Sequence, residues 1–86
     1  MEKINLNEVY TKASEKIIIK NKEKARDFAE NTVVPHFVAL AEKGHGYGKI
    51  HVPTDYILDF VYERVVELVK ADFAKDGRYI SASWWY

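Results

Sequence analysis

The sequence predicts an α+β fold: a long N-terminal helical region over residues 6–43, then strand–helix–strand, with a small two- or three-stranded sheet packed on the helices. Three observations lead there. Apolar residues recur at three-and-four spacing from Val9 to Leu40 and again from Tyr56 to Leu68, the period of an amphipathic helix. Two glycine-bearing breaks, Gly44-His45-Gly46-Tyr47-Gly48 and Asp76-Gly77, each follow a helical stretch and precede a short segment of alternating polarity. Both tryptophans fall in the last eight residues, Tyr79–Tyr86. Left in water, such a stretch would be a sticky edge, so it is expected to be an ordered strand or a contact surface.

The first helix is expected to be capped by Asn7, with Glu8 in its first turn favouring the positive end of the dipole. Val9, Tyr10, Ala13, Ile17 and Ile18 begin its apolar face. Ala25, Phe28, Ala29, Thr32, Val33, His36, Phe37 and Leu40 resume it after the polar interval Asn21–Lys24. The β-branched triplet Ile17-Ile18-Ile19 reads as helix or as a short strand, being too short for periodicity to decide. Pro35 lacks an amide hydrogen and crowds the carbonyl four residues back, so a kink or restart is expected near residues 31–34. Gly44 ends the run as a left-handed cap.

Lys49–Val52 is expected as a strand, with Ile50 and Val52 on one face and His51 on the other. Pro53 stops it, and Thr54 is expected to cap a helix running from Asp55 to about Lys75. After Gly77 the chain reverses into a strand from Tyr79 to Tyr86. Ile80, Ala82, Trp84 and Tyr86 share one face, with Tyr79, Ser81, Ser83 and Trp85 on the other. A single helical crossover predicts two parallel strands. Two parallel strands alone are weak. The sheet is therefore expected to gain a third strand from Ile17–Ile19 or from a second copy, or to be covered by the long helix.

Eighty-six residues make one domain, residues 1–86. A chain of this size buries only about 60–65% of the surface its unfolded form exposes, which leaves a thin margin of stability. With no cysteine there are no disulfides, thiolate metal sites or cysteine nucleophiles. Thirteen basic and thirteen acidic residues give a formal net charge of zero, without the global basic excess of a typical nucleic-acid binder. No apolar run is long enough to cross a membrane, and Met1–Asn5 lacks a secretory pattern. A cytoplasmic location and no membrane partner are expected.

The stretch Val33-Val34-Pro35-His36-Phe37 with Ala41-Glu42-Lys43-Gly44, the short strand, the helix, and Gly77-Arg78-Tyr79-Ile80-Ser81-Ala82-Ser83-Trp84 together resemble small bacteriophage and prophage proteins. That group has an amphipathic helix ending in Ala-x-x-Gly, a short strand, a second helix, then Gly-Tyr and a strand closing on Ser-Trp. Here Arg78 stands between the glycine and the tyrosine, and two residues follow Trp84. The resemblance covers residues 33–84. It implies a phage-type origin, hence the host cytoplasm, and no particular chemistry.

No residue pattern demands catalysis, and no cofactor is expected. His36, His45 and His51 lack the one-turn spacing of a helical zinc site, so no metal is expected. Gly44-x-Gly46-x-Gly48 follows a helix and precedes a strand, the reverse of a phosphate loop, and reads as a mobile connection. Asp55/Asp59 and Glu63/Glu67 stand one turn apart, as the solvated face of an amphipathic helix also requires. Serines 14, 81 and 83 lack a His-Asp partner at recognisable spacing.

The leading expectation is therefore a non-catalytic protein-interaction module of phage type. It would inhibit a host protein or serve as a virion or assembly component, with Tyr79, Trp85, Tyr86 and Tyr47 as contact residues. A homo-oligomer is compatible with this. The alternative is a nucleic-acid binder using Lys12, Lys16, Lys20 and Arg26 on the first helix, although Glu15, Glu23, Asp27 and Glu30 dilute that field.

Overall fold

The computed structural model describes residues 3–85. Its elements are α1 (Leu6–Phe28), a π-helical turn (Ala29–Val33), α2 (Val34–Glu42), β1 (Tyr47–His51), α3 (Leu58–Leu68), β2 (Asp72–Asp76) and β3 (Tyr79–Ser83). This is an α+β fold of helices packed on a three-stranded sheet.

The helical region starts at Leu6, as expected, but its cap differs. Asn5, not Asn7, is the cap, its side chain accepting from the amides of Asn7 and Glu8 at 3.1 and 3.3 Å. Ile17–Ile19 is helical. Pro35 is accommodated by the π-turn just before it, where the Val34 amide reaches back five residues to the Ala29 carbonyl. That widening also aligns the core. Residues four apart on an α-helix drift by about 40° per step. An underwound turn lets Ala25, Ala29, Val33 and Phe37 all stay buried. At the far end Gly44 takes a φ of +89°, its amide bonding Ala41 while that of His45 bonds Leu40, the paired bonds of a Schellman cap.

The sheet corrects the expected topology. Its order is β1-β3-β2 and both pairings are antiparallel. The helix expected to reach Lys75 stops at Leu68, and Asp72–Asp76 forms a strand instead. Asp76 pairs with Tyr79 across Gly77-Arg78. Gly77, with φ +59°, occupies the glycine position of a type II′ hairpin. The third strand thus comes from the chain itself, which removes the sheet-based reason for a second copy. Thr54 does not cap α3: Thr54 and Asp55 lie in a turn, and Ile57 precedes the helix with no side-chain cap. β1 begins at Tyr47, so Gly48 is a buried strand residue and not part of a mobile connection. β3 ends at Ser83.

The core is Ala25, Ala29, Val33, Phe37, Val52, Val61, Val65, Ile80 and Ala82. Gly48 lets α2 approach the sheet: a Cβ there would lie 2.6 Å from Leu40 Cδ1 and 3.0 Å from Phe37 Cδ1. Arg78 closes the joint between β1 and α3. Its Nε donates to the Val52 carbonyl at 2.7 Å, and its Nη2 donates to those of Pro53 and Tyr56, each at 2.6 Å. Among the described residues no helix is long and apolar enough to cross a membrane.

Candidate functional site

Antiparallel register sorts the sheet into two faces, because opposed residues share a side. Gly48, Ile50, Phe73, Lys75, Ile80 and Ala82 look inward to the helices. Tyr47, Lys49, His51, Asp72, Ala74, Asp76, Tyr79, Ser81 and Ser83 look outward. None of the outward residues is buried. Among the described residues, the helices lie on one side and nothing covers the other.

Two of the expected contact residues share this bare face. Tyr79 is 41% exposed and Tyr47 54%. They sit at opposite ends of neighbouring strands, about 13 Å apart at 3.3 Å per residue. Tyr79 is braced: the His51 ring stands edge-on at 5.1 Å and the Lys49 ammonium lies 4.5 Å from its centroid. Lys49 also reaches Asp76 across β3 at 3.7 Å. The ring is thereby held in place but stays accessible.

Trp84 and Trp85 have divided roles. Trp84 turns inward, tilted on Phe37 at 5.9 Å, and its Nε1 donates to the His45 carbonyl at 2.7 Å. Trp85 is 70% exposed and lines a groove of about 510 Å³ with Lys70, Ala71, Asp72, Ser83 and Trp84. Its side chain packs over Gly46, where any larger residue would collide with it. Tyr86 lies outside the described residues. The bracing by Lys49, His51 and Asp76 was missed from sequence, although the alternation Tyr47-Lys49-His51 was there to be read.

The basic residues of the first helix do not form one patch. Lys12, Lys16 and Lys20 follow at four-residue steps along exposed turns of α1. Arg26 lies apart, in a groove of about 180 Å³ with Lys22, Phe60, Glu63, Arg64 and Glu67. That groove is internally neutralised. Arg64 Nε donates to Glu30 and Nη1 to Glu67, both at 2.9 Å, and these hydrogen bonds raise the Arg64 pKa above its ordinary value.

Three further polar side chains singled out from sequence have structural occupations. His36 Nε2 donates to the Lys49 carbonyl at 3.1 Å. Asp59 accepts from Lys75 at 2.9 Å, which raises the lysine pKa. Ser81 Oγ donates to the Ala74 carbonyl at 3.4 Å. Among the described residues no three His, Asp or Glu side chains are grouped as metal ligands. No family model matches the chain, and no curated protein or solved structure matches it either.

Proposed function

We propose that this chain is a small non-catalytic protein-interaction module of bacteriophage type. It acts by binding another protein, as an inhibitor of a host protein or as a component of virion assembly. One observation carries the reading: the uncovered sheet face presents Tyr79 and Tyr47 on a rigid frame, with exposed Trp85 at its rim. Tyrosine and tryptophan bury much area at small entropic cost, and a braced ring has less freedom to lose. The phage origin rests on the resemblance of residues 33–84 described above.

Immobilised protein exposed to bacterial lysate tests this reading. A partner held by the wild type is expected to be lost from Tyr79→Ala and from Trp85→Ala, with far-UV circular dichroism unchanged. Retention of the same partner in full by both variants would refute the contact face.

The row of Lys12, Lys16 and Lys20 favours a second reading, a nucleic-acid contact along α1. Binding of that kind falls steeply with added salt, whereas an aromatic protein contact does not.

A further inference from the structure

Among the described residues, the N-terminal half of α1 has no packing partner. Between Lys3 and Lys20 every residue is exposed except Ser14, which is half-buried, and the one buried residue of α1 is Ala25. Packing against the body begins near Lys22, whose ammonium lies 5.4 Å from the Phe60 ring. Leu6–Lys20 is therefore an arm of about 22 Å at 1.5 Å per residue, on a molecule measuring 68 × 21 × 19 Å. Single helices of this length are marginal in water, and the β-branched Ile17-Ile18-Ile19 weakens this one further.

The arm is also apolar along one line. Leu6, Tyr10, Ala13 and Ile17 follow at steps of four, three and four, and so fall on a single stripe. Leu6 is 74% exposed, Tyr10 71% and Ile17 57%. Val9 on the flank of the stripe is exposed as well.

We infer that this stripe is a self-association seam, and that its occupant is the same stripe of a second copy running antiparallel. The 4-3-4 spacing reads the same from either end. Reversed about its midpoint, it sets Leu6 opposite Ile17 and Tyr10 opposite Ala13, large against small in both central layers. A parallel pair would instead stack Tyr10 on Tyr10 and Ala13 on Ala13, leaving a gap. The antiparallel arrangement is a closed two-fold pair, with the two bodies at opposite ends.

The area fits a modest, concentration-dependent pair: Leu6, Val9, Tyr10 and Ile17 expose roughly 450–500 Å² per copy, below the ~800 Å² per partner of a standard stable interface. The seam lies on a different element from the sheet face and does not depend on it.

Sedimentation equilibrium from micromolar to hundreds of micromolar tests the inference. The wild type is expected to reach twice the 10.0 kDa chain mass. Ile17→Glu and Tyr10→Glu are expected to weaken the dimer roughly 100-fold or more, since a two-fold pair counts each substitution twice. Trp85→Ala should leave the dimer intact. The chain has no native cysteine, so Leu6→Cys with Ile17→Cys reports orientation. The two positions are about 16 Å apart along one helix, and any disulfide between them must join two copies. A wild type that stays at monomer mass overturns the inference. So does a dimer that both glutamate variants leave unchanged, or one that Leu6→Cys alone crosslinks as readily as the double variant.

Discussion

Arg78 is expected to be the most costly single polar side chain to remove. Arg78→Met keeps the apolar stem but deletes the guanidinium, and with it three hydrogen bonds to the carbonyls of Val52, Pro53 and Tyr56. Val52 is fully buried, so its carbonyl finds no ready substitute in water. Each bond from a charged donor contributes about 1 kcal/mol after discounting for the half-exposed setting, and an orphaned carbonyl adds more, giving about 2–4 kcal/mol in all. A domain of this size shifts its midpoint by about 4–8 °C per kcal/mol, so thermal unfolding should fall by about 10–25 °C. Urea unfolding should move its midpoint with the slope unchanged. Arg78→Lys should recover at most half, because one ammonium cannot fork to three acceptors. Hydrogen exchange adds a local readout. The Val52 amide donates to the Arg78 carbonyl at 2.8 Å and that of Tyr56 to Pro53 at 3.1 Å, and both should lose protection first. A fall of less than about 4 °C for Arg78→Met would refute the clamp.

Three further outcomes follow from the same geometry. Gly48→Ala should destabilise by about 1–3 kcal/mol in urea unfolding, since the added methyl meets Leu40, Phe37 and Trp84 at 2.6–3.1 Å. The Lys75 pKa is raised by its hydrogen bond to Asp59 and then by that carboxylate's charge, so the contribution is complete below about pH 10.4 and is lost as pH climbs through the higher folded value. Asp59→Asn should flatten that alkaline loss in a pH series of thermal midpoints, and an unchanged alkaline slope would contradict the assignment. Lys16→Glu with Lys20→Glu should abolish any salt-sensitive affinity for single-stranded DNA measured by fluorescence anisotropy. Unaltered affinity would discard the α1 row as a nucleic-acid surface.

The helices were legible in the sequence because their packing follows a repeating period. Val61 and Val65 are buried where the three-and-four stripe places them, and Gly44 takes the positive φ that its position after Lys43 suggests. β2 was illegible for a physical reason. Its inward face offers Phe73 and Lys75, and Lys75 lies over the Tyr62 ring at 4.9 Å with its charge on Asp59. A strand that fills half its inner face with a lysine stem shows no apolar alternation. Ala71 and Phe73 also continue the helical spacing of α3, so nothing local marks its end at Leu68. The parallel topology fell with this one strand, because a hairpin needs no crossover. Thr54 misled because a β-turn and a helix cap favour the same residue. The exposure of Tyr79 and Trp85 was legible because the inner face of the last strand could not use their rings. Their bracing depends on cross-strand neighbours, which require the register.

The edges of the sheet bear on why a partner would meet its face. Gly46 and Val52, which flank β1, bond to Trp84 and Arg78, which flank β3. Alternation then points the backbone groups of Tyr47, Lys49 and His51 away from β3, towards a free edge. His36, from α2, places its Nε2 proton on the Lys49 carbonyl at that edge. An incoming strand would have to displace it. The other edge, β2, carries Asp72, Lys75 and Asp76, and charge at an edge opposes strand addition. Both edges are therefore poor templates for β-augmentation. Apart from Tyr10 on α1, the large rings left in water among the described residues lie on the open face and its rim, where side chains, and not backbone, would make the contact. A partner recognised there needs no extended segment of its own, only a surface able to cover Tyr79 and Trp85.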